Sequence, residues 1–198
     1  MSLVIGSTSI SLKWKTPESW TQMCLDNLDL FLIDHASCER KAHAASLMIA
    51  NKYFEDIELQ KVMVDLAKEE LEHFSQVLEL LHRRGLFLIK DEIDVYVKSL
   101  LTHVRHPKDE HLLDRLLVVA IVEARSAERF EMISQGLPPG ELKDFYLKFS
   151  EDEARHAPLF VGQAKRKFGA ALAESRLAEL IDIEAKIQIS LPLRVGVH

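Results

Sequence analysis

Cysteine is nearly absent from the 198 residues, which contain only Cys24 and Cys38. Two thiols cannot make a four-cysteine zinc or iron-sulfur set. At about 1.5 Å per residue they lie about 21 Å apart on one predicted helix, too far for a bridge, and reduced thiols fit a cytosolic protein. Glycine (7) and proline (6) are scarce and β signals are few, which argues against a sandwich, a barrel or a long linker. No Gly-x-Gly-x-x-Gly pattern marks a dinucleotide site. No apolar run approaches the roughly 18 residues that cross a bilayer, and Met1 to Ile10 lacks a charged region followed by an apolar one. A cytoplasmic location is expected. The net charge of −6 opposes general nucleic-acid binding but leaves room for a local basic patch.

What remains is a helix former's composition, 47% hydrophobic and 28% charged, with enough apolar residues for one substantial core. Residues 1–15 read as extended or loose. Thr16 and Pro17 form a helix start, with Thr16 as cap and Pro17 in the first turn. Four long helices are predicted over about 17–53, 57–84, 109–135 and 141–168, with a fifth over about 170–190. Asp56 caps the second and Gly85 ends it. Short turns make the first pair and the second pair antiparallel hairpins. The connection between them is long and holds a short helix near Asp94 to His103. Pro158 predicts a kink or bulge in the fourth helix. The fifth helix, with Leu172, Leu177, Leu180, Ile181 and Ile187 on its apolar face, is expected to pack.

Within this frame one unit occurs twice: a glutamate on one helix of a hairpin, then Glu-x-x-His on the other. Glu39 precedes Glu70 and His73; Glu123 precedes Glu153 and His156. Residues three apart share a helix face. The spacing alone is common, and a third copy, Glu79 with His82, is present. Helical rotation separates them. Glu70 falls among Leu59, Met63, Leu66, Phe74, Val77 and Leu81, whereas Glu79 points to the opposite side beside Arg83 and Arg84. Glu153 and Glu123 fall on apolar stripes of their own. Glu39 shares a more polar but inward face with His35. By the same test Glu69, Glu72, Glu128, Glu151 and Asp152 are surface carboxylates.

Measured from the hairpin turns, Glu39 and Glu70 stand about 24 and 22 Å up their helices, and Glu123 and Glu153 about 21 and 24 Å. Four carboxylates and two imidazoles at one level of an apolar interior are costly without a counter-charge. A pair of divalent metal ions supplies one. A Glu from each of two helices and Glu-x-x-His from each of the other two is the ligand set of ferritin-like di-iron and di-manganese proteins, in which Glu70 and Glu153 would bridge and Glu39 and Glu123 would be terminal. Carboxylate and imidazole suit iron or manganese. His35 and His43 flank Glu39 as candidate hydrogen-bond partners of the ligands. Tyr146 is a core residue first and a redox-active tyrosine second.

The segments Leu32 to Glu39, Glu69 to Phe74 and Glu123 to Phe130, with Glu153 to His156, resemble the bacterial tRNA hydroxylase family MiaE over nearly the whole chain. The resemblance implies an all-α, ferritin-like four-helix bundle with a long crossover between the second and third bundle helices and an added C-terminal helix, forming one domain over 1–198. It also implies an oxygen-dependent, non-haem di-iron monooxygenase, with two iron ions (manganese is the alternative) and O2 as co-substrate. That enzyme hydroxylates the isopentenyl group of 2-methylthio-N6-isopentenyladenosine, next to the anticodon of tRNA. All six ligand positions match. Electrons are expected from a separate reductase, and the protein to be a monomer or small homo-oligomer. The alternative is a ferritin-like iron oxidase, storage protein or peroxidase without an organic substrate. For tRNA, Arg83, Arg84, Lys165, Arg166 and Lys167 are candidate contacts, with Lys90, Arg105 and Lys108 as further cations near helix ends.

Overall fold

The computed structural model describes residues 10–90 and 92–198. Residues 1–9 of the expected loose start lie outside this range; residues 10–17 carry no helix. Seven helices and no strand occur among the described residues: α1 (Glu18–Asp26), α2 (Leu28–Lys52), α3 (Ile57–Arg83), α4 (Val95–Leu101), α5 (Lys108–Gly136), α6 (Glu141–Phe168) and α7 (Ala170–Ser190). They sort into two compact units. One holds Glu18–Ile93 with Leu193–Val197; the other holds Asp94–Pro192, the described chain before Glu18, and His198.

In the first unit, the helix expected over 17–53 is broken at Asn27, whose backbone (φ −128°, ψ 44°) leaves the helical region. The cause is local. The Asn27 side-chain amide donates to the Met23 carbonyl at 2.9 Å and its backbone N–H to Cys24 at 3.1 Å, so it offers the chain an alternative to the next helical turn. Cys24 and Cys38 consequently lie on different helices, and neither forms a disulfide. α3 follows the pattern closely. Asp56 accepts from the Leu59 N–H at 3.0 Å as cap, and Leu59, Met63, Leu66, Val77 and Leu81 are buried. Gly85 (φ +71°) ends it in the left-handed region, which lets the Leu86 N–H return to the Leu81 carbonyl at 2.9 Å.

The α2–α3 hairpin has a readable register. His43 Nδ1 meets the Ala67 carbonyl at 2.7 Å, and the Gln60 amide reaches the Ala50 carbonyl at 3.4 Å, so a step of seven up one helix is answered by seven back down the other. The second unit repeats this between α5 and α6. Ser150 Oγ donates to the Ala127 carbonyl and Ser134 Oγ to that of Lys143, both at 3.0 Å and again seven apart on each side. Four residues before His43 the register brings Glu39 level with Leu71, one residue from Glu70. Four before Ala127 it brings Glu123 level with Ala154, one residue from Glu153.

α6 runs as α-helix through Pro158 without the expected bulge. A single residue, Gly169 (φ +87°), both ends α6 and starts α7. α7 keeps the centre of the apolar strip expected, with Leu177, Leu180 and Ile181 buried, but not its ends. Leu172 is exposed, Ile187 only half-buried, and the buried face carries Arg176, Glu184 and Gln188. The partners are on α5: Arg125 donates to Glu184 at 2.7 Å with both side chains fully enclosed, and Arg176 and Arg105 both clamp Asp114. Burial pushes the Asp114 carboxyl up, but the bonds from Arg105 and Arg176 outweigh it and hold the group at about 2. Burial, then the Glu184 carboxylate beside it, pushes the Tyr96 phenol far above its usual range, so it remains a donor to Glu184 at 3.2 Å.

Three sequence expectations are changed by this network. Thr16 does not act as a simple helix cap, since its hydroxyl donates to Glu128 at 3.0 Å, and Glu128 is no surface carboxylate, for it also binds Arg125. Arg105, though part-exposed, is bound to Asp114 and is not a free cation. Because Arg125 lies two residues after Glu123, these bonds also fix the rotation of α5 about its axis.

Candidate metal centre

Each unit builds one half of a ligand set. In the first, Glu39 comes from α2 and Glu70 and His73 from α3, and all three are buried. His73 Nδ1 stands 3.5 Å from Glu39 Oε2 and 3.5 Å from Glu70 Oε2. In the second, Glu123 comes from α5 and Glu153 and His156 from α6, all buried, with His156 Nδ1 3.3 Å from Glu153 Oε2. In each half the three residues offer ligand atoms within 4.8 Å of one another. Both imidazoles turn the same nitrogen toward the carboxylates.

The donor chemistry fits a metal. Two ionised carboxylates at 4.8 Å repel by roughly 3 kcal/mol at an effective dielectric constant of about 20. Each half sets two such groups in an interior where no solvent screens them. A divalent cation turns that repulsion into attraction, and oxygen and imidazole donors without sulfur are those of iron or manganese sites.

The neighbours separate as follows. His35 is fully enclosed, with Nε2 2.7 Å from Glu39 Oε1, so it touches the ligand directly. His43 does not, because its Nδ1 is occupied by the Ala67 carbonyl. Glu79 and His82 are exposed on the outside of α3. Tyr146 is fully buried against Phe130 and Phe145 as a core residue.

The cations proposed for tRNA are near surfaces, and several have identified partners. Arg84 binds Asp29 at 2.6 Å, Lys165 binds Glu174 at 2.6 Å, and Arg166 donates to Gln163 at 2.9 Å. Arg83 and Lys167 are exposed. One feature escaped the sequence reading altogether. Asp34 accepts from Arg194 at 3.0 Å and from the Val197 N–H at 2.7 Å, pinning the 194–197 segment to α2, and nothing in the local pattern around Asp34 signals a partner so far along the chain.

The profile of the family described as tRNA-(MS[2]IO[6]A)-hydroxylase (MiaE) matches residues 4–198. The chain belongs to the MiaE family. A Pseudomonas putida relative named tRNA 2-(methylsulfanyl)-N(6)-isopentenyladenosine(37) hydroxylase is 37% identical, the match covering 84% of this chain and 80% of that protein. A Salmonella typhimurium protein of the same name is 29% identical, with 88% and 82% covered. Among solved structures, a Synechococcus protein with aldehyde deformylating oxygenase activity matches with a TM-score of 0.89 and 33% identity over 94% of both chains. The all-α fold of this MiaE family member is thus ferritin-like. No described helix is long and apolar enough to cross a membrane.

Proposed function

We propose that this chain is an oxygen-dependent, non-haem di-iron monooxygenase that hydroxylates the isopentenyl group of 2-methylthio-N6-isopentenyladenosine in tRNA, next to the anticodon. The observation that carries the reading is a MiaE match over 4–198 in a chain whose two Glu/Glu-x-x-His sets are both intact and buried. In this reading the two units form one domain. Glu39, Glu70 and His73 hold one side of a dinuclear centre, and Glu123, Glu153 and His156 the other.

These six residues would hold iron, which would supply the activation of O2 that attack on an unactivated carbon requires. The chain's own residues do the rest. The carboxylates set the charge of the site, and His35 Nε2, donating to Glu39 Oε1, leaves the other oxygen of Glu39 toward His73. Phe31, Leu66 and Val77 in one unit and Phe130, Phe149 and Phe160 in the other are buried on the helices that carry the ligands, an apolar setting that excludes water. Electrons come from a separate reductase, and the reaction on tRNA places the protein in the cytoplasm.

The deciding experiment incubates the iron-loaded, reduced protein with O2 and tRNA carrying the isopentenyl modification. Digested nucleosides analysed by mass should show the gain of one oxygen atom, dependent on iron. Unaltered nucleoside, together with rapid iron oxidation and a cage-sized particle on gel filtration, would instead support an iron oxidase or storage protein.

A further inference from the structure

The stretch from Leu80 to Lys90 contains His82, Arg83, Arg84 and Lys90 and no acid, in a chain of net charge −6. Its apolar members are not covered. Phe87 is 72% exposed and Ile89 60%, far more than a packed crossover would leave. The His82 and Phe87 rings lie 6.3 Å apart, forming an outward aromatic pair at the end of α3. Beyond Phe87 the chain borders a cleft of about 170 Å³ whose rim includes Ile89, Lys90, Lys41 and Ser37. A volume below the roughly 300 Å³ of a small-molecule pocket suits one group of a larger ligand.

The acids around this face are mostly answered. Among the described residues, Asp34 is taken by Arg194 and the Val197 N–H and Asp29 by Arg84, while Glu92 lies on the rim beside Lys41 and Lys90 and Glu79 is exposed just before the stretch. Cations flanking an exposed aromatic ring are what a single-stranded RNA loop requires, since unstacked bases need a flat apolar surface and phosphates need positive charge. A protein partner would use the apolar residues but gains nothing from the acid-free run.

We propose that the face formed by His82, Phe87, Lys90 and Lys41 docks the unpaired anticodon loop of tRNA, with a base stacked on Phe87 and phosphates on the two lysines. This rests on the tRNA hydroxylase reading and adds where the substrate is held. The test measures fluorescence anisotropy of a labelled anticodon stem-loop RNA carrying the isopentenyl modification against the full-length, iron-loaded protein, over a range of salt. Phe87→Ala should weaken binding roughly tenfold, and Phe87→Trp should keep it. Lys41→Ala and Lys90→Ala should each flatten the slope of log affinity against log salt by about 0.7. Iron content and helical circular dichroism should not change, because these side chains lie on the surface or its rim.

Wild-type affinity and slope in all these variants would overturn the proposal. So would a Phe87→Ala protein that binds RNA normally but loses a self-association seen by sedimentation, which would assign the face to a second copy of the chain. If the wild type neither binds nor hydroxylates this RNA, the hydroxylase reading falls with it. If the wild type hydroxylates and the variants do so equally well, only the docking face is lost.

Discussion

At the scale of single residues, position on the helix matters more than motif. Glu70→Ala or Glu153→Ala should abolish most metal binding, whereas Glu79→Ala, on an exposed face of the same α3, should retain the full complement by metal analysis. Equal losses at Glu70 and Glu79 would refute the assignment. His35 presents a subtler case. Its ring meets Oε1 of Glu39, so His35→Ala should keep the fold but weaken metal affinity by about 10- to 100-fold in a competition titration.

At the scale of elements, the two hairpins carry the ligands and a polar clamp holds one of them in place. Glu184 is fully enclosed with Arg125, and removing one partner of such a pair strands the other charge. Glu184→Ala should therefore cost about 3–5 kcal/mol in urea unfolding, far more than removal of exposed Leu172 from the same helix. The Asp114 clamp has a pH signature. Its folded value of about 2 lies below the ordinary 3.8, so its contribution is complete above pH 4 and is lost as pH falls toward 2. The size is on the order of 1–2 kcal/mol after solvent screening at Arg105. Asp114→Asn should lack that part of the acid sensitivity, and an unchanged difference between the two proteins from pH 5 to pH 2 would contradict the clamp.

At the scale of the whole molecule, an acidic chain must engage a polyanion through a restricted footprint. Affinity for tRNA should show a moderate salt dependence, nearly one unit of slope for each duplex phosphate met and only a few met. Neutralising Lys165, Arg166 and Lys167 together should weaken turnover on whole tRNA while sparing the free modified nucleoside. Since Lys165 and Arg166 already have partners in Glu174 and Gln163, the loss should be smaller than at Phe87 and Lys90. Equal losses on tRNA and nucleoside would indicate damage to the fold or metal site.

Both hairpins, their turns, and the inward position of Glu39, Glu70, His73, Glu123, Glu153 and His156 were decided by the sequence itself. Apolar periodicity and spacing from a turn are local quantities, and a helix of fixed rise converts them directly into face and height. What only tertiary structure decided are the partners of polar groups. Asn27 breaks a helix that periodicity would continue, Glu128 turns inward from an apparently solvated face, Arg105 is bound to Asp114, and α7 packs through Arg176 and Glu184 as well as through Leu177, Leu180 and Ile181. Only the fold assigned His35 to Glu39 and His43 to a carbonyl across the hairpin. The physical reason is common to all of them. An apolar side chain needs only to leave water, which its own helix face predicts, whereas a buried charge or hydrogen-bonding group needs one particular partner, and that partner is brought to it by a distant part of the chain.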